Sequence, residues 1–323
     1  MPWARLTNTF LCMKIIDLHQ DLLSHIRFRD KFDQSHQTDF TVLEQSDIDI
    51  VVATAFPLPA NDDQFDPSVH QLITEELFMY KDYCDRNQSW ELLLSPTDFS
   101  KNSRKLLLHV EGLNIFAGTE EHWSILSHWH DIGLRSLATH WNLNNKLGGG
   151  TLDTQMHLSE LGEEVIAWAE KKKILLDFAH MGRKTFSDAV KCVNRPIYIS
   201  HGNADAVCSN IRNYTDEQLK IVASTGGVIG VFFPNTFVVG KGNNGTLSDV
   251  ISHISYMKKL IGIDHIAIGS DFGGIISGTV QGLSSVSDLP FLIKELRNKS
   301  FSDEEIRKIL YGNAHRVIIE HLS

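Results

Sequence analysis

Eight apolar, β-rich runs separated by helix-forming stretches predict one (β/α)8 TIM-like barrel, an α/β fold. Strand and helix signals alternate along the chain, the pattern of parallel strands joined by crossover helices. Six of the eight runs end in ionisable residues, and active sites of this fold sit at the C-terminal ends of the strands. A length of 323 residues suits a single domain of this kind. The competing doubly wound sheet would need a glycine-rich turn after its first strand, and no glycine follows Ile16 there.

The expected strands, in order, are Lys14 to Leu18, Ile48 to Phe56, Lys105 to Val110, Arg135 to Thr139, Lys173 to Ala179, Pro196 to Ser200, Gly227 to Phe233 and His265 to Gly269. Helical patterns lie between them at Val69 to Arg86, Ser159 to Lys172, Thr215 to Ser224 and Ser248 to Ile261. Thr215 with Gln218 and Ser302 with Glu305 have capping-box spacing. Residues 1–13 are expected to form an N-terminal extension to a single domain over 14–323. The glycine-rich stretches Gly148-Gly149-Gly150 and Gly240 to Gly245 read as mobile loops bordering the mouth of the barrel.

Composition narrows the function. A net charge of −10 gives no basic footprint for nucleic acid or an anionic membrane. No segment is long and apolar enough to span a bilayer, the N-terminus is too polar for a signal-peptide core, and no anchor-like tail closes the chain. A cytoplasmic protein is expected. Cys12, Cys84, Cys192 and Cys208 have no Cys-x-x-Cys spacing and read as reduced thiols.

His19 and Asp21 stand two residues apart at the end of the first strand, where both side chains can face one metal ion. Glu111 ends the third strand, where a buried carboxylate needs cationic compensation, which two metals on its two oxygens would supply. His180 and His201 end successive strands in the same manner. Three histidines with two carboxylates suit zinc or a similar divalent ion. Two such ions about 3.5–4 Å apart can share a hydroxide and polarise a carbonyl, which is metal-assisted hydrolysis. Asp271, ending the eighth strand, is placed to shuttle protons.

Seven pieces in order resemble the membrane dipeptidase (renal dipeptidase) family of the amidohydrolase superfamily. They are Asp17 to Asp21, Val110-Glu111-Gly112, Leu137 to Asn142, Asp177 to His180, Ser200 to Ala204, Asn210 to Asn213 and Gly269 to Phe272. The resemblance implies two zinc ions, one held by His19, Asp21 and Glu111 and the other by Glu111, His180 and His201. It implies that His140 meets the substrate and the developing oxyanion, and that Arg212 pairs with the C-terminal carboxylate of a dipeptide. Homodimers are common in that family, and some members accept a D-residue on the C-terminal side.

Two departures bear on substrate preference. Leu113 and Asn114 follow Gly112 where a second glycine is usual, and Phe232-Phe233-Pro234 replaces a usual Asn-Phe-Tyr. The leading expectation is a zinc-dependent dipeptidase, soluble and bacterial in type. The alternatives are another amidohydrolase acting on an N-acyl amino acid, lactone or cyclic amide, and a catalytically silent metal-binding protein.

Overall fold

The computed structural model of the chain describes residues 13–23, 36–56 and 65–323. Nine strands occur among them: β1 (Ile15–Gln20), β2 (Ile48–Ala55), β3 (Trp90–Leu92), β4 (Arg104–Glu111), β5 (Leu134–Ala138), β6 (Leu175–Asp177), β7 (Tyr198–Ile199), β8 (Val228–Val231) and β9 (Ile266–Ile268). All pairings between them are parallel. β1 pairs with both β2 and β9, and β2 also pairs with β4, so eight strands close into the expected barrel. The unexpected ninth, β3, pairs only along Arg104 to Leu106 at the start of β4. Of the anticipated N-terminal extension, residues 1–12 lie outside the described residues, and Met13 is buried.

The apolar residues form two clusters. Ile16, Leu18, Val52, Leu107, Leu175, Val228 and Ala267 fill the barrel, with Val317 and Ile318 of the last helix packed against them. The larger cluster lies between the barrel and its surrounding helices. The helix Glu160–Lys171 shows how sequence specifies that outer layer: Gly162, Val165, Ile166 and Ala169 make its buried stripe, and the Ser159 side chain accepts the Gly162 N–H at its start. Both expected capping boxes form, at Thr215 and Ser302.

Most strands stop earlier than their apolar runs, because the chain ends at the barrel mouth bond to side chains instead of to the ladder. Asp177 Oδ1 accepts the N–H groups of Ala179 and Ser200, each at 2.9 Å. Asp17 does the same for the last strand, accepting Ser270 N–H at 2.8 Å and the Ser270 hydroxyl at 2.6 Å. Each carboxylate thereby pins the residue that directly precedes a candidate site residue, His201 or Asp271.

The triglycine stretch is not an open loop. Gly148, Gly149 and Gly150 are buried, Gly149 N–H donates to Thr185 Oγ1 and Gly182 N–H donates to the Gly149 carbonyl. A Cβ on Gly150 would stand 2.3 Å from the Leu143 carbonyl oxygen and 2.5 Å from that of Asn142. Gly150→Ala is therefore expected to destabilise the protein by about 1–3 kcal/mol, as overpacking against fixed backbone does. Thermal melting checks this, and an unchanged midpoint would show that the 140–152 segment is free to yield. The second stretch, 240 to 245, holds Gly240 and Gly242 at positive φ in a surface turn.

Candidate metal centre

Six side chains named from the sequence converge at the C-terminal mouth of the barrel. The Glu111 carboxylate is the hub: its Oε1 lies 3.5 Å from His19 Nε2, 3.0 Å from His180 Nε2 and 3.6 Å from His201 Nε2. His19 Nε2 is also 3.6 Å from Asp21 Oδ2 and 3.9 Å from Asp271 Oδ1. Two donor groups thus share one carboxylate, His19–Asp21–Glu111 and Glu111–His180–His201, each with donor atoms within 4.8 Å of one another. Imidazole nitrogens mixed with carboxylate oxygens at this spacing fit zinc-like divalent ions.

Local backbone geometry brings the groups together. The β1 register shifts between Asp17 and Gln20, so His19 turns into the site although Leu18, one residue earlier, fills the barrel. Simple strand alternation would have placed His19 with the outward residues. His180 (φ 61°) and Asp271 (φ 64°) both adopt left-handed backbone, a conformation that costs non-glycine residues of order 1–3 kcal/mol. Gly112 (φ 113°) leaves room for Trp141, whose backbone nitrogen would lie 3.1 Å from an added Cβ. Leu113, in place of the usual second glycine, is buried in the core.

The centre is buried and crowded with carboxyl groups. Burial pushes the Glu111 carboxyl well above the usual range, with Asp21 and Asp271 adding to the rise. Burial likewise lifts Asp271 to about 7, and the charge of Asp21 reinforces the lift against the opposing pull of His19 and Arg212. Burial alone would depress His19, yet Glu111, Asp21 and Asp271 together raise it to about 10. His180 and His201 are held far below the ordinary imidazole value by burial and by the charges of Arg212 and His19. Three crowded carboxylates beside imidazole nitrogens form a donor set of the kind that suits a cation.

His140 and Arg212 belong to the same centre. His140 is fully buried and pushed down to about 4 by burial; its Nδ1 meets Thr139 Oγ1 at 2.8 Å. Its Nε2 has no hydrogen-bond partner among the described residues. Arg212 is buried, not on the surface, and its Nη2 stands 2.7 Å from His201 Nε2 and 3.0 Å from His180 Nε2. Its guanidinium carbon lies 5.6 Å from the Phe232 ring centroid, and Phe232 in turn faces His201. Phe232 is therefore an aromatic neighbour of the site, whereas Phe233 packs on Phe272.

Several supporting residues escaped the sequence reasoning. Asp17 and Asp177 were within recognised segments, and the signal that could have marked them is a carboxylate inside an otherwise apolar strand. His109, fully buried two residues before Glu111, contacts Ser136 Oγ through Nδ1 at 2.8 Å and approaches Asp177 Oδ2 at 3.6 Å. Asn142 supports His180 from another loop.

The chain has relatives among known proteins. Residues 4–322 match the profile of the membrane dipeptidase family, peptidase family M19. An uncharacterized protein in the pqqA 5' region of Klebsiella pneumoniae is 33% identical over 241 residues, 70% of this chain and 87% of that protein. The dipeptidase aclJ of Aspergillus oryzae is 30% identical over 223 residues, 67% of this chain and 52% of its own length, so this chain spans about half of that relative. A Rhodobacter sphaeroides metallo peptidase, solved with a phosphinate mimic of the dipeptide L-Ala-D-Ala, shares the fold at a TM-score of 0.84 and 20% identity, covering 96% of this chain and 99% of that one. Among the described residues no helix is long and apolar enough to cross a membrane. With a match over nearly its whole length, the chain belongs to the membrane dipeptidase family, whose members are metal-dependent dipeptidases.

Proposed function

We propose that the chain hydrolyses dipeptides bearing a free C-terminal carboxylate, L-Xaa-D-Xaa among them, with two zinc ions sharing Glu111. The observation that carries this reading is the Glu111 carboxylate set within 3.0–3.6 Å of three histidine Nε2 atoms, a donor set divisible into two groups. The inclusion of L-D dipeptides is supported by the phosphinate mimic of L-Ala-D-Ala with which the Rhodobacter sphaeroides protein is liganded. His19, Asp21 and Glu111 would hold one ion, and Glu111, His180 and His201 the other. Divalent ions there supply Lewis-acid polarisation of the scissile carbonyl and acidify water.

The remaining work falls to this chain's own residues. Asp271, raised towards neutrality, takes the proton from the attacking water and delivers it to the leaving amine. His140 stays neutral at physiological pH, and in the tautomer that carries the proton on Nε2 it donates to the oxyanion. Arg212 offers a bidentate fork to the substrate carboxylate. Its Nη2 lies beside His180 and His201, so the guanidinium stands at the edge of the donor set. Trp141, half-buried beside His180, and Phe232 wall the substrate space.

Amino-acid release from L-L, L-D and carboxyl-blocked dipeptides tests the reading, with zinc-reconstituted protein against a chelator-stripped sample. Release should require metal, and blocking the carboxylate should lower kcat/KM by about 10- to 100-fold, the worth of a charge-assisted pair. No release from any peptide while two ions remain bound would overturn the assignment.

A further inference from the structure

The site histidines differ in what holds the ring nitrogen turned away from Glu111. His201 Nδ1 meets the hydroxyl of its own neighbour Ser200 at 2.8 Å. His180 has no such neighbour, since Ala179 precedes it, and its Nδ1 instead meets Asn142 Oδ1 at 2.8 Å, 38 residues away. Asn142 itself sits in left-handed backbone (φ 57°), as does His180 (φ 61°). Two non-glycine residues in that conformation face each other across this one contact, and asparagine is among the few residues that adopt it readily. The 140–152 segment that presents Asn142 is fixed: Leu152 N–H donates to the Asn142 carbonyl, and the buried Gly150 leaves no space between them.

We propose that Asn142 is a positioning residue for His180. An amide oxygen only accepts, so the His180 proton is placed on Nδ1 and the Nε2 lone pair, 3.0 Å from Glu111, is left for the metal. Asn142 lies two residues beyond His140 on the same segment. The contact therefore ties the histidine of one metal position to the residue aimed at the substrate carbonyl, and movement of the segment shifts both. This inference rests on the dinuclear reading above and adds to it a residue that touches neither metal nor substrate.

The test is a stepwise zinc titration by chelator competition on the full chain, comparing wild type with Asn142→Gly and Asn142→Asp. Glycine keeps the left-handed backbone and removes the acceptor; aspartate keeps the acceptor. Asn142→Gly should weaken one of the two ions by about 10- to 100-fold, the usual effect of losing an outer partner of a ligand, and leave the other within about twofold. Asn142→Asp should bind both at least as tightly as wild type. Equal weakening of both ions, equal loss in the two variants, or unchanged affinities in Asn142→Gly would each overturn the role. A wild-type chain that binds fewer than two ions would overturn the dinuclear reading itself, an outcome separate from the behaviour of the variants.

Discussion

Glu111→Gln should abolish dipeptide hydrolysis and empty both metal positions, because the lost carboxylate stands within 3.6 Å of His19, His180 and His201 together. The fall in kcat/KM is expected to exceed about 10³-fold, beyond the 10- to 100-fold typical of losing an outer-shell partner. Elemental analysis of the purified variant checks the metal content, and retention of two ions with more than about a tenth of the activity would remove Glu111 from the hub. Stability of metal-stripped protein should move the other way. The folded-state pKa of Glu111 is raised, so the folded chain binds more protons than the unfolded one, and the wild type loses stability as pH rises above the ordinary glutamate value. The glutamine variant lacks that loss. Stripped Glu111→Gln should be at least as stable as stripped wild type at pH 8, with the gap closing towards pH 4; denaturant melts at the two pH values measure it.

Asp271→Asn should keep both ions and lose turnover by about 10²- to 10⁴-fold, the range of a positioned proton-transfer group. Asparagine accepts left-handed backbone as readily as aspartate, so the φ of 64° at this position is not a confounding strain. The variant should also lose the acid limb of the pH–rate profile. Burial holds the Asp271 carboxyl up at about 7, and a neighbouring divalent ion pulls it lower, so at saturating metal the wild-type rate should climb with pH below neutrality while the variant's stays flat. Full turnover by a variant that carries two ions would show that the proton moves by another route.

The barrel was readable because each of its eight strands is an apolar run that keeps its hydrophobicity on both faces, as buried parallel strands do. β3 was not, since Trp90–Leu92 is three residues long with Glu91 at its centre and exists only by pairing with β4. His19, Asp21, Glu111, His180, His201 and Asp271 could be named from strand ends alone, and the structure gathers them. Arg212 could not: it sits in a loop between Asn210 and Asn213, where spacing carries no chemical meaning, and its burial depends on neighbours far along the chain. Asn142 escaped for the same reason. The triglycine stretch misled because composition cannot distinguish glycines that grant freedom from glycines that permit backbone to pass backbone; Gly150 is of the second kind.

The clasp between Asp17 and Ser270 spans 253 residues, joining the first strand of the barrel to a residue two beyond the end of the last. A chain made from its N-terminus therefore completes His19, Glu111, His180 and His201 before it contains Ser270, which holds the approach to Asp271, or the strand that seals β1. Ring closure brings Asp271 and His19 together in one step, late and across most of the chain's length. Partly made chains hold the histidines before the ring closes, so the candidate site is complete only when the ring is.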